Sequence, residues 1–130
     1  MITDLRYPIG RFTRPTSLPD ASRAAAIAAI ADTPKQLRNA VHGLSDAQLD
    51  TPYRPGGWTV RQLVHHVPDS HMNAYVRTRL ALTEENPAIK TYEEAKWAEL
   101  ADAKSMPVDV SLTMLETIHA RWVTLLRSMT

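Results

Sequence analysis

Trp58-Thr59-Val60-Arg61-Gln62-Leu63-Val64-His65-His66-Val67-Pro68-Asp69-Ser70-His71 is the stretch that decides the fold. Thr59 followed three residues later by Gln62 has the form of a capping box, in which each side chain answers a free backbone N–H at a helix start, with Trp58 just outside. From there Val60, Leu63, Val64, Val67, His71, Ala74 and Thr78 recur at spacings of three and four and define one face at about 100° per residue. The spacing predicts a long helix ending near Glu85, before Asn86 and Pro87. Pro68 lies inside it and predicts a bend, because proline removes one backbone hydrogen bond.

Toward the N-terminus the same logic finds a partner. Ile27, Ile30, Pro34, Leu37, Val41 and Leu44 make one apolar stripe. The helix that carries it starts near Asp20, read as an N-cap after Pro19, and ends at Gly43. Pro34 predicts a kink or short break. Ser45 to Gln48 spells a second capping box for a single turn, and Thr51 to Gly57 is a loop. Residues 1–19 form an extended arm, with three prolines and one glycine between Tyr7 and Pro19.

Toward the C-terminus, Thr91 and Glu94 predict a third capping box opening a shorter helix through Trp97 and Leu100. After Pro107, Leu112, Leu115, His119, Trp122, Leu126 and Met129 form a narrow heptad-like seam. No stretch alternates with period two. The expectation is all-α, a single helical bundle domain over residues 1–130 with three long helices. Bundles usually close with four, so one groove should lie open.

The 130 residues suit one domain, and 44% apolar residues allow one core. The chain has no cysteine, which excludes disulfides, thiolate metal ligands and a Cys nucleophile. The net charge of +1 with interspersed signs argues against nucleic acid. The longest weakly apolar run, Ala24 to Ala31, is too short to span a bilayer, and Met1 to Gly10 lacks a signal-peptide core. A cytoplasmic protein with no membrane contact is expected.

Chemistry concentrates on the second long helix. His71 falls on its apolar face and His65 points well away, while His66 heads a polar stripe with Ser70 and Asn73 along the edge of that face. A catalytic zinc takes three protein ligands and keeps one position open, and His66 is the candidate ligand. His65 and His66 diverge too far to share an ion. His119 is a candidate from another helix, lining the same pocket as Ser70 and Asn73. His71 and His119 read otherwise as packed core histidines. Trp58, Trp97 and Trp122 read as packing anchors, and Arg61, Arg77 and Arg79 as a solvated face. No Ser-His-Asp set, phosphate-cradling loop or H-E-x-x-H is present.

Five segments resemble the YfiT-type metal-dependent hydrolases of the DinB-like superfamily. They are Tyr-Pro-Ile-Gly at 7–10, the long run from Leu49 to His66, Asp-Ser-His-Met-Asn at 69–73, Leu-Thr-Glu-Glu-Asn-Pro-Ala-Ile-Lys at 82–90, and Leu-Leu-Arg at 125–127 after His119 and Arg121-Trp122. The resemblance implies a four-helix bundle, often a homodimer, acting on a small-molecule substrate. It implies a divalent metal, zinc or nickel, held by three histidines. One matches His66, and the other two form a His-x-x-x-His pair on a C-terminal helix. Related members are S-transferases that use a low-molecular-weight thiol such as bacillithiol. The sequence ends at Thr130 before any such pair, which predicts a bundle missing its last helix. Val67-Pro68 also stands where the family usually has a leucine-alanine type pair.

Three functions follow as expectations: a hydrolase with a metal-activated water, a metal-dependent thiol S-transferase, and a non-catalytic helical module or truncated relic whose histidines are structural.

Overall fold

The computed structural model describes residues 4–129, so the first three residues of the expected arm, and Thr130, lie outside the described residues. Six helices follow in order: α1 (Asp20–Val41), α2 (Asp46–Leu49), α3 (Val60–Thr83), α4 (Glu94–Ala98), α5 (Ala101–Ser105) and α6 (Val108–Ser128). Three are long, as expected, and among the described residues the only β pairing is an isolated bridge between Pro52 and Thr59. Among the described residues, no helix is long and apolar enough to cross a membrane.

α6 lies between the other two long helices and packs on both. Its buried side chains are Ser111, Leu112, Leu115, His119 and Val123. The heptad seam read from the sequence drifts. Trp122 and Leu126 are only half-buried and Met129 is exposed, while Val123 takes the inner position. A straight helix turns 3.6 residues per turn, so a 3.5-residue pattern walks off the contact within two heptads. Val41, Leu49, Val64 and Leu112 form the central cluster, flanked by Leu37, Leu44, Val60 and Val108. Each such side chain contributes roughly 1.5–3 kcal/mol on full burial.

Both capping boxes at Ser45/Gln48 and Thr59/Gln62 are formed. The one expected at Thr91/Glu94 is not. α4 starts from Glu93 without a side-chain cap, and the single helix expected through Leu100 is two short ones. Gln62 explains the break. Its amide donates to the Ala98 carbonyl at 2.7 Å, taking the acceptor a continuing helix would use. Asp20 is likewise the first helical residue, not the cap; Pro19 holds that position.

The first turns of α3 are the hub of the molecule. Arg61, read as part of a solvated face, is 5% exposed. Its guanidinium donates to Asp50 at 2.7 Å, Asp46 at 2.9 Å and the Met106 carbonyl at 3.0 Å. His65, expected to point away from the core, is also buried, 2.6 Å from the Ser111 hydroxyl and 2.9 Å from the Met106 carbonyl. The buried set on this helix is Arg61, Gln62, Val64, His65 and Pro68, while Leu63, Val67 and Ala74 stay half-covered. α4, α5 and α6 pack against α3, and the buried Arg61, Gln62 and His65 side chains on it are hydrogen-bonded to Asp46, Asp50, Ala98, Ser111 and the Met106 carbonyl.

Neither proline breaks its helix: α1 and α3 run through Pro34 and Pro68 without interruption, and both rings are buried.

Candidate functional site

The loop before α3 shapes a cavity of about 530 Å³. Two backbone bonds close it, Gly57 N–H to the Arg54 carbonyl at 2.9 Å and Tyr53 N–H to the Trp58 carbonyl at 3.0 Å. Gly57 is required there, because a Cβ would sit 2.7 Å from both Arg54 Cγ and Tyr53 Cε1. The cap at Thr59 then fixes Trp58 against the helix it precedes. Its ring lies 5.0 Å from the His66 imidazole, tilted by 60°.

His66 faces this cavity together with Arg6, Arg54, Trp58, Leu63 and Glu94. Its ring is half-buried, and among the described residues neither nitrogen takes a hydrogen bond. The imidazole is therefore uncommitted and reachable, as a metal ligand must be. Among the described residues, however, no three His, Asp or Glu side chains gather closely enough to hold an ion. One imidazole with a carboxylate in the same cavity does not close a coordination sphere. The side chains present fit a single ligand and not a complete metal site.

The other residues of the expected pocket separate. Ser70 lies one turn beyond His66, beside the Tyr92 hydroxyl, which is enclosed at a geometry too poor for a good hydrogen bond. Burial pushes the Tyr92 phenol up, so it stays protonated. Asn73 turns back to its own helix, donating to the Asp69 carbonyl at 2.8 Å. Burial, then the charge of Asp102, push the Asp69 carboxyl above the usual carboxylate range, against the pull of His66 and His65. His119 does not join His66. It lines a separate groove between α1 and α6 with Pro34, Arg38, Glu116 and Val123. It reaches both neighbours of α6, since its partners are the Ile30 carbonyl on α1 and His71 on α3.

Sequence reasoning missed that partnership. The His119 ring is 2% exposed. Its Nδ1 lies 2.6 Å from the Ile30 carbonyl, and its Nε2 lies 2.6 Å from His71 Nδ1. The two imidazoles stack at 4.9 Å with 17° between planes, and Trp122 presents its edge to both. Ile30 is four residues before Pro34, so its carbonyl lacks the helical N–H that any other residue at 34 would supply. His119 fills that vacancy. Burial pushes the His71 imidazole below its ordinary value, with His119 and His66 adding to the effect. Burial lowers His119 too, against the Ile30 carbonyl, which favours its protonated form. Arg6, Arg54 and Glu94 were also missed as neighbours of His66. Arg54 lies in the loop 51–57 and Arg6 in the N-terminal arm, neither with a periodicity from which to place it, and Glu94 opens α4.

The family described as the DinB superfamily matches residues 20–130. A protein of Bacillus cereus strain AH820 named "Putative metal-dependent hydrolase BCAH820_2714" is 59% identical over 128 residues, which is 98% of this chain and 73% of that protein. A Bacillus anthracis protein named "Putative metal-dependent hydrolase" matches with the same identity and coverage. Among solved structures, one is described as "YfiT from Bacillus subtilis is a probable metal-dependent hydrolase with an unusual four-helix bundle topology". It superposes with a TM-score of 0.94 at 48% identity, covering 97% of this chain and 72% of that one.

Proposed function

This chain belongs to the DinB superfamily, and from that premise we propose that it is part of a metal-dependent hydrolase in which His66 supplies one ligand to a divalent zinc or nickel ion. The observation that carries the reading is the His66 imidazole, unpartnered at both nitrogens among the described residues and facing a cavity of about 530 Å³. A cavity of that size suits a small-molecule substrate. The rest of the coordination sphere comes from outside the side chains gathered here. The relatives supply room for it, since the chain spans 73% of their length. Such an ion, when bound, supplies Lewis acidity and a water of lowered pKa.

Within this chain, Trp58 and Leu63 line the cavity beside the imidazole, and the clash-limited turn at Gly57 holds Arg54 at the cavity wall. Arg54 donates to Tyr53 Oη and the Pro55 carbonyl, which fixes the guanidinium as a positive edge to the cavity.

Metal analysis of purified protein after equilibration with nickel or zinc tests the reading. Wild type should retain metal that a His66→Ala variant loses. Equal, trace metal in both would remove the enzyme reading and leave a helical module whose histidines are structural. Where metal is retained, turnover of ester and amide probes with and without a low-molecular-weight thiol separates hydrolase from S-transferase.

A further inference from the structure

His66 shares its cavity with a half-buried guanidinium, Arg54, that is fixed in place and has donors left over. Gly57 packs so closely on the Arg54 stem that a Cβ there would sit 2.7 Å from Cγ. Nε donates to Tyr53 Oη at 2.7 Å, and Nη1 donates to the Pro55 carbonyl at 3.3 Å. The guanidinium carbon also lies 5.3 Å from the centroid of the Tyr53 ring. A guanidinium carries more N–H donors than these bonds consume: both N–H groups of Nη2 and one of Nη1 remain. Among the described residues no carboxylate lies within ion-pair distance of Arg54, whereas Arg6, Arg23, Arg38 and Arg61 each have one. The other charges on the lining decide what can use the spare donors. Arg6 is committed. Its Nε and Nη2 donate to both Asp4 oxygens at 2.8 to 3.3 Å, and these bonds hold the Asp4 carboxyl below the usual carboxylate range, with Arg54 adding the weakest pull. Glu94 brings a negative charge to the same lining, beyond ion-pair distance of Arg54. A monoanion at Arg54 is neutralised there, while a dianion would add a charge that nothing on the lining balances and that Glu94 repels.

We propose that Arg54 binds a carboxylate of the substrate, so that this bundle acts on small carboxylate-bearing molecules with an apolar or aromatic body. The inference rests on the hydrolase reading for what becomes of the bound molecule, and on the cavity alone for its binding. A parallel pair of N–H groups on Nη1 and Nη2 matches the two oxygens of a carboxylate, and such a charge-assisted fork is stronger and more directional than a neutral hydrogen bond. Because Gly57, Tyr53 and Pro55 already hold the side chain, little of its freedom is left to lose on binding. Trp58 and Leu63, on the same lining, give the body of the ligand apolar surface to lie against. Arg54 thus anchors one end of the molecule in the cavity that holds the His66 imidazole.

Binding without turnover tests this. Protein freed of metal on a chelating resin and labelled with nitrogen-15 is titrated with benzoate, and the Trp58 indole N–H and Arg54 Nε–H resonances are followed. Both should shift along one saturating curve. Benzamide has the same body without the charge, and phenyl phosphate is a dianion in mildly alkaline buffer; each should bind at least about tenfold more weakly than benzoate. In Arg54→Gln, benzoate should weaken by about tenfold or more while benzamide binding is unchanged. The proposal is overturned by the absence of a saturable benzoate shift, by benzamide or phenyl phosphate binding as tightly as benzoate, or by an Arg54→Gln protein that binds benzoate as wild type does. If that variant does not fold, the three wild-type titrations decide alone. Because these titrations contain no metal, they are independent of metal retention at His66. Benzoate bound by a protein that retains no metal would leave a carboxylate site without the hydrolase. Metal retained by a protein that ignores benzoate would leave the hydrolase with another class of substrate.

Discussion

Replacing His119 by leucine removes the donor to Ile30 and the acceptor for His71 in one change. Both bonds are 2.6 Å long and the ring is 2% exposed, so water does not replace them easily. Each orphaned group costs about 1–3 kcal/mol, or roughly 2–6 kcal/mol for the two. Leucine burial returns part of this, so the expected net loss is about 2–4 kcal/mol from a domain stability on the order of 5–15 kcal/mol. The sharper test lies in the second-site changes. Pro34→Ala gives residue 34 an N–H that reaches the Ile30 carbonyl through the helix. It should stabilise the His119→Leu protein by about 1–2 kcal/mol more than it stabilises wild type. Adding His71→Leu to His119→Leu should likewise recover about 1–3 kcal/mol by removing the ring nitrogen left without a partner. Urea unfolding followed by far-ultraviolet circular dichroism gives each stability. Second-site effects that simply add, within about 0.5 kcal/mol, would refute this chain of hydrogen bonds.

The ion cluster at Arg61 should respond asymmetrically. Its side chain is 6% exposed, whereas those of Asp46 and Asp50 are 90% and 53% exposed. Arg61→Met leaves solvated carboxylates behind and should cost only about 1–2 kcal/mol, while the double variant Asp46→Ala/Asp50→Ala strands a buried guanidinium and should cost about 3–5 kcal/mol. The reverse order in urea melts would contradict this placement. Stability should also fall on mild acidification. His71 and His119 both have folded pKa values depressed below an unfolded value of about 6.5, burial being the leading cause. Their contribution is whole above that value and is lost as pH falls from it through the folded values, because the unfolded chain takes up protons the folded one refuses. The slope reaches at most about 1.4 kcal/mol per pH unit for each imidazole. A unfolding free energy that stays flat through this window would speak against the buried neutral pair.

What the sequence could and could not reveal follows from the range of each interaction. The capping boxes at Ser45/Gln48 and Thr59/Gln62 span three residues and are written locally, and both are formed. Val64, Leu112 and Leu115 follow from periodicity alone and are buried. Arg61 was misplaced because residue polarity stood in for exposure, and His65 because only the apolar face of the helix was taken as buried. A polar side chain is excluded from the interior only when nothing there satisfies it, and Asp46, Asp50, Ser111 and the Met106 carbonyl satisfy these two. The cavity at His66 needed the path of the 51–57 turn, which Gly57 fixes by close approach and no repeat reveals. Pro34 is the intermediate case. From the sequence it announces a kink or a short break; α1 continues unbroken through it, and the lost hydrogen bond is made good elsewhere. The freed group is the carbonyl four residues back, whose new partner lies 89 positions along the chain. An unbroken helix with an interior proline therefore poses a definite question: which distant group donates to the freed carbonyl? Where the donor is an alcohol, the effect stops there. Where it is an imidazole, giving up one nitrogen determines the state of the other, and a backbone defect on one helix becomes a chemical instruction to the next.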